Sequence, residues 1–141
     1  MVGSIAFVCN SEMRVPEGLD GQLALVTGAG RGLGRACAEG LATAGARVVA
    51  VARSAEDLAE VGRHESGRIE TWTEDVTTDA FTDRVAALEG LTILVNNAGG
   101  NRPQAFVDVD SDSLDFILNL NVRAAFRVAQ AAARSMLRGG Q

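Results

Sequence analysis

The hydrophobic pattern alternates between two kinds of segment along most of the chain. Short runs rich in apolar and β-branched residues predict four strands, at residues 23–27, 47–52, 69–74 and 92–97. Stretches of helical periodicity lie between these runs and after the last one, at residues 32–44, 54–64 and 78–89 and from Ser111 or Ser113 to Arg138. This alternation predicts an α/β fold of the Rossmann type, a doubly wound parallel sheet with helices on both faces.

Polar and glycine residues mark the ends of the predicted helices. Ser54 is a typical N-cap for the second helix, and either Thr77 or Thr78 fits the same role for the third. Gly139 and Gly140 follow the last helix, where glycine commonly ends a helical segment.

The start of the chain differs in composition from the rest. Pro16, Gly18 and Gly21 interrupt residues 1–21, so we expect a flexible leader there. Its sequence lacks the charged start and long apolar core of a signal peptide. The regular α/β pattern occupies residues 22–141.

Composition restricts the possible partners. The chain has 141 residues, a formal net charge of -5 and a hydrophobic content of 47%, which fits one domain and argues against a general binder of nucleic acid or anionic membranes. No apolar run reaches the roughly 18 to 20 residues that span a bilayer, so we expect a cytoplasmic protein. Cys9 and Cys37 form no CxxC pair and His64 is the only histidine, which leaves too few ligands for a Cys/His metal site.

Closely spaced glycines join the first strand to the first helix. The segment reads TGAGRGLG and comprises Thr27, Gly28, Ala29, Gly30, Arg31, Gly32, Leu33 and Gly34. Backbone amides at the start of a helix point outward and carry the positive end of the helix dipole, so they bind phosphate. Glycine lets a pyrophosphate approach the backbone and permits positive φ in the turn. A phosphate-binding turn is the expected role of this segment.

Four features in order, over residues 23–138, resemble the short-chain dehydrogenase/reductase family. Its nucleotide-binding signature is TGxxxGxG, as found here. Asp75 and Val76 follow the third strand and look like the family's adenine contact, and Asn121 on the last helix matches its catalytic asparagine. A second signature, NNAG, consists of Asn96, Asn97, Ala98 and Gly99. The resemblance implies that Asn97, Ala98 and Gly99 also border the cofactor, with Asn97 near the ribose on the nicotinamide side.

The charges near the second strand favour NADP over NAD. Dinucleotide folds that prefer NAD place an acid about 20 residues past the glycine turn, whereas an arginine there accommodates the extra phosphate of NADP. Here the corresponding positions hold Ala52 and Arg53. Arg31, inside the turn, can approach the same phosphate from the other side. NADP is therefore the expected cofactor, and NAD the less favoured one.

The resemblance implies hydride transfer between a nicotinamide and a carbonyl or alcohol substrate. Family members use a serine, a tyrosine and a lysine in addition to the asparagine, and the last two are spaced YxxxK. The chain contains no tyrosine, and all 13 of its Lys and Arg residues are arginine. Only Asn121 has a counterpart, so we expect these residues alone to be inactive and to correspond to the amino-terminal half of an enzyme. The resemblance implies that residues 22–141 form an incomplete nucleotide-binding Rossmann domain, truncated before a fifth strand.

Two other interpretations stay open. The chain is alternatively a non-catalytic dinucleotide-binding or interaction module, or one half of a split enzyme, with its last helix as the docking face. The resemblance implies a homo-oligomer for a full-length form, since family members commonly associate through that helix. Another Rossmann-type protein such as a methyltransferase is disfavoured, because it does not explain NNAG and Asn121.

Overall fold

The computed structural model of the protein describes residues 18–64 and 67–139. Its strands are β1 (Leu23–Thr27), β2 (Arg47–Ala52), β3 (Ile69–Thr73) and β4 (Leu91–Asn96). Its α-helices are α1 (Gly32–Thr43), α2 (Ala55–Val61), α3 (Asp79–Ala87), α4 (Ser111–Leu118) and α5 (Ala125–Arg138). β1 and β2 have the predicted bounds, whereas β3 ends one residue early and β4 lies one residue earlier than predicted. The expected flexible leader falls mostly on residues 1–17, outside the described part of the chain.

The four strands form one parallel sheet in the order β3-β2-β1-β4. β1 lies inside the sheet, paired on one side with β2 and on the other with β4. The chain therefore builds outward from β1 to β3 and then crosses back to add β4 on the opposite side. Such a reversal leaves a crevice at the carboxyl ends of β1 and β4, the two strands between which the order reverses, which is where open α/β sheets bind ligands.

Side chains that alternate along β1 serve two separate cores. Leu23 and Leu25 belong to a cluster with α3 and α5, which includes Phe81 and Val128. Alternate residues face a second cluster with α1 and α2, formed largely by small side chains: Ala24, Val26, Ala29, Ala38, Ala42, Ala46, Val48, Ala50, Leu58 and Val61. Helices thus cover both faces of the sheet, which confirms the predicted doubly wound α/β fold.

Polar side chains cap three of the helices. The Ser54 hydroxyl accepts a hydrogen bond from the Asp57 amide (3.1 Å), and of the two threonines considered it is Thr78 that caps α3. Asp110 caps α4, since its carboxylate accepts from the Ser113 amide at 2.7 Å. α1 is different: its N-cap is Arg31, and no side chain bonds to its first amides.

The last helical region is not the single α-helix that the sequence predicted. A π-helical segment, Asn119–Ala124, separates α4 from α5. Within it the Asn121 side chain bonds to the backbone of Gly100, 21 positions earlier in the chain. This bond joins parts of the chain that are distant in sequence, so local periodicity gives no sign of it.

β4 forms an edge of the described sheet. Within residues 18–64 and 67–139, β4 pairs only with β1, and its central residues Ile93, Leu94 and Val95 are half-buried. No helix in this part of the chain has the length and apolar character needed to cross a membrane.

Candidate nucleotide-binding site

The glycine turn lies at the carboxyl end of β1 and leads directly into α1. Gly28 and Gly32 adopt φ of +66° and +57°, a conformation that side-chain-bearing residues rarely adopt. Because no side chain caps α1, its first backbone amides are available to an external acceptor. The turn therefore has the features of an anion-binding helix start.

The other two glycines allow close packing around the turn. A Cβ on Gly34 would lie 2.2 Å from the Gly28 carbonyl oxygen and 2.4 Å from the Asn97 side-chain nitrogen. A Cβ on Gly30 would lie 2.9 Å from Cβ of Asp57. Gly34 thus lets α1 approach β1 and β4, and Gly30 lets the turn approach α2.

Thr27 and Asn97 fasten the ends of β1 and β4 together. The buried Thr27 hydroxyl accepts from the backbone amides of Asn97 and Ala98, both at 3.0 Å. In return the side-chain nitrogen of Asn97 donates to the backbone carbonyls of Thr27 and Gly28, both at 3.2 Å. The two sequence signatures therefore meet in space and hold each other in place.

These elements enclose a crevice of about 670 Å³ at the carboxyl edge of the sheet. Nine of the predicted cofactor residues line it: Gly28, Gly30, Arg31, Arg53, Asp75, Val76, Asn97, Ala98 and Gly99. Five other predicted site residues do not: Thr27, Gly32, Leu33, Gly34 and Asn121. Of these, Leu33 is exposed to solvent (73%), whereas Thr27 and Gly34 pack beneath the turn.

Charged side chains of both signs surround the crevice. Arg31 and Arg53 are exposed, and Ala52 occupies the strand end where an acid was found to be missing. Asp57, which is not part of any of the predicted motifs, lines the crevice beside Gly30. Its position three residues after the N-cap Ser54 was the available signal, because that spacing places a residue on the first turn of the helix.

Asp75 is held as a carboxylate by its own turn. The backbone amide of Thr77 donates to it at 2.9 Å and the Thr77 hydroxyl at 2.7 Å. The hydrogen bond from the backbone amide of Thr77 is the largest cause that lowers the pKa of Asp75, and the charge of Arg53 lowers this pKa further. Asp75 is therefore an acceptor at the end of the crevice next to β3, where the adenine contact was predicted.

Asn121 holds the loop that follows β4. Its side-chain oxygen accepts from the Gly100 amide at 3.0 Å, and its nitrogen donates to the Gly100 carbonyl at 2.7 Å. A Cβ on Gly99 would lie 2.8 Å from that oxygen, so a side chain at this position would push the Asn121 amide away from Gly100. Neighbouring residues Phe116, Asn119 and Leu120 line the crevice, which places the π-helical segment at its border.

The described residues contain no group of three or more His, Cys, Asp or Glu side chains suited to a metal ion.

The family model described as short chain dehydrogenase matches residues 22–141. The chain belongs to the short-chain dehydrogenase/reductase family. This family consists of oxidoreductases that use NAD(P), which agrees with a crevice built from a glycine turn and the NNAG signature.

Similar proteins include reductases and dehydrogenases. L-xylulose reductase of Mus musculus is 40% identical over 124 residues, which are 87% of this chain and 50% of that protein. Gluconate 5-dehydrogenase of Gluconobacter oxydans (strain 621H) is 43% identical over 131 residues, which cover 87% and 51% of the two chains. A metagenomic short-chain oxidoreductase solved in complex with NADP aligns with a TM-score of 0.78 at 34% identity, over 87% of this chain and 60% of that one. The chain spans about half the length of the curated relatives it matches.

Proposed function

We propose that this short-chain dehydrogenase/reductase chain supplies the nucleotide-binding part of a cytoplasmic oxidoreductase that prefers NADP(H). The observation that carries the proposal is the crevice itself, in which an uncapped helix start and two arginines surround a strand end without an acid. The reduced cofactor would donate a hydride to the carbonyl carbon of a small substrate, and the oxidised cofactor would accept a hydride from an alcohol carbon. The NADP complex of the metagenomic relative supports the choice of cofactor.

The crevice fits a dinucleotide in both shape and chemistry. Gly28 and Gly30 border it without side chains, so a pyrophosphate would be able to approach the backbone. Asp75 and Val76 would contact adenine, and Asn97, Ala98 and Gly99 would lie along the part toward the nicotinamide. Every one of these residues comes from a loop at the carboxyl edge of the sheet, as expected for a ligand that spans the crevice.

Arg31 and Arg53 would hold the extra phosphate of NADP(H). They border the crevice from the glycine turn and from the end of β2, and neither is ion-paired within the described part of the chain. A guanidinium forms charge-assisted, partly bidentate hydrogen bonds to phosphate. Ala52 leaves no carboxylate at the strand end to repel it.

The first prediction tests this preference by titration calorimetry with NADP+ and NAD+. We expect Arg53→Ala to weaken NADP+ about tenfold, because a charge-assisted bond is lost, and to change NAD+ binding little. Arg47→Ala is the matched control, since Arg47 begins the same strand at its opposite end and is exposed. Equal losses for both cofactors, or an equal effect of Arg47→Ala, would contradict the assigned role of Arg53.

The chain's residues account for binding but not for proton transfer. The family's catalytic tyrosine and lysine have no counterpart among its residues, whereas Asn121 matches the family's asparagine. In this chain Asn121 would act by positioning the loop after β4. We propose that the 141 residues alone bind cofactor without turnover. Carbonyl reduction by the pure chain with NADPH, abolished by Gly32→Trp, would contradict this.

A second candidate function is that of an interaction module, and an exposed apolar surface favours it. Large apolar side chains recur every four positions along α4, the π-helical segment and α5. This outer stripe consists of Leu114, Leu118, Val122 and Phe126, which are 48%, 47%, 60% and 66% exposed. We propose that its occupant is the stripe of a second copy, because an exposed apolar surface can pair with its own copy about a two-fold axis. A full-length form would then be a homo-oligomer.

A further inference from the structure

We propose that Asp57 is the residue that opposes the preference for NADP(H), by accepting the adenosine ribose hydroxyls of NAD(H). The inference rests on the proposed function, since it concerns the same crevice. It assigns to the first turn of α2 the carboxylate that the end of β2 lacks. The cofactor preference is then a balance between this acid and the two arginines, so both cofactors bind.

The position of Asp57 is fixed by two contacts. Its backbone amide donates to the Ser54 hydroxyl at 3.1 Å, which places it on the first turn of α2 at the crevice. Its side chain lies directly above Gly30, where an added Cβ would be 2.9 Å from Cβ of Asp57 and 3.5 Å from its carboxylate oxygen. Only glycine at position 30 leaves room for the carboxylate to border the phosphate-binding turn.

The Asp57 carboxylate lacks a partner of its own. It is half-buried, and in the described part of the chain no side chain or backbone amide donates to it. The other acids of the crevice are engaged: Glu74 pairs with Arg84 at 2.5 Å, and Asp75 accepts from Thr77. A half-buried carboxylate without donors is suited to the vicinal hydroxyls of a ribose, which supply two donors.

The surrounding charges decide which cofactor benefits. Arg31 and Arg53 line the same crevice as Asp57, and Arg53 also interacts electrostatically with Asp75. A phosphate on the ribose would gain contacts to the arginines and would be repelled by the Asp57 carboxylate. A ribose with both hydroxyls free would instead donate to that carboxylate. Asp57 therefore favours NAD(H) and acts against NADP(H).

The test compares Asp57→Asn with the unmodified chain. Asparagine keeps the size of the side chain and the backbone bond to Ser54, and it removes only the charge. Calorimetric titrations would use NAD+ and NADP+, together with adenosine 5′-monophosphate and adenosine 2′,5′-bisphosphate, a pair that differs by the phosphate alone. We expect Asp57→Asn to raise the affinity for the phosphate-bearing member of each pair about fivefold and to lower the affinity for the other member about fivefold.

Glu56→Gln is the matched control. Glu56 is an exposed acid on the same turn of α2 and does not line the crevice, so the variant removes an equal charge from a neighbouring position. It should change the ratio of the two affinities less than about twofold, because exposed charges are screened. A thermal melt of each variant checks that the fold is retained.

The outcomes separate this inference from the function on which it rests. If the unmodified chain binds none of the four nucleotides, the proposed function and the role of Asp57 both fail. If it binds NADP+ and Asp57→Asn leaves the affinity ratio unchanged, or Glu56→Gln changes it equally, the role of Asp57 is overturned and the proposed function stands. A shift of the ratio toward the phosphate-bearing ligands in Asp57→Asn alone supports both.

Discussion

Two glycines of α1 have very different surroundings. Gly34 faces the Gly28 carbonyl oxygen and the Asn97 side chain, at 2.2 and 2.4 Å from an added Cβ, whereas a Cβ added to Gly40 would meet no described atom outside its own helix within 4 Å. We expect Gly34→Ala to lower the free energy of unfolding by about 3 kcal/mol, because the backbone of the glycine turn at Gly28 cannot yield as a flexible side chain would. Urea denaturation followed by the fluorescence of the single tryptophan, Trp72, measures it.

Gly40→Ala provides the internal control for that prediction. In the open interior of a helix, alanine is favoured over glycine by about 0.5 to 1 kcal/mol, so this variant should be slightly more stable than the unmodified chain. Equal destabilisation by both substitutions would mean that helix propensity, rather than the contact with β1 and β4, explains the effect.

Asp75 gives the site a pH-dependent contribution to stability. Its pKa is lowered in the folded chain by the Thr77 amide, so the contribution is complete above the unfolded value of about 3.9 and is lost as the pH falls through the folded pKa. We expect Asp75→Asn to cost about 1 kcal/mol at pH 7 and progressively less below pH 4. Denaturant titrations between pH 3 and 7 would show this convergence. A difference that stays constant over the range would contradict it.

At the scale of elements, the sequence predicted the boundaries best where local signals determine them. β1 and β2 consist of buried apolar runs that end at the glycine turn or at Arg53 and Ser54, and both bounds were predicted. The interruption of the last helix was not predicted, because neither glycine nor proline marks it. Its geometry accompanies the bond between Asn121 and Gly100, a long-range contact that no local pattern contains.

Asn121 of the π-helical segment bonds to the backbone of Gly100, and we expect these bonds to stabilise the loop after β4. Asn121→Ala removes both bonds to Gly100, and we expect a loss of about 1 to 2 kcal/mol together with faster hydrogen exchange at the Gly100 amide. Asn119→Ala is the control on the same segment, since the side chain of Asn119 accepts only one long bond, 3.4 Å from exposed Arg123, in the described residues. Equal exchange rates at Gly100 in the two variants would contradict the role of Asn121.

At the scale of the whole molecule, the sequence predicted the fold and the location of the crevice but not all of its charges. Strand and helix alternation implies a parallel sheet, and the glycine turn marks its ligand edge. Asp57 was not predicted as a crevice residue, because its place there follows from its packing against Gly30, 27 positions earlier in the chain. The sequence motifs therefore predicted residues that hold the backbone in place, such as Thr27 and Asn97. The full set of charged side chains around the crevice, which includes Asp57, is visible only in the folded structure.

The outer stripe leads to a prediction about assembly. If it pairs with the stripe of a second copy, replacing Leu118 and Phe126 by arginine places charge at the centre of an apolar contact, and we expect self-association to weaken at least about tenfold. Sedimentation velocity over a range of concentrations measures this. Ala59→Arg adds charge at an exposed position of α2, in the helical layer on the other face of the sheet, and should leave association unchanged. A chain that sediments as a monomer before any substitution would exclude pairing through the stripe, and the exposed apolar residues would then need a different partner.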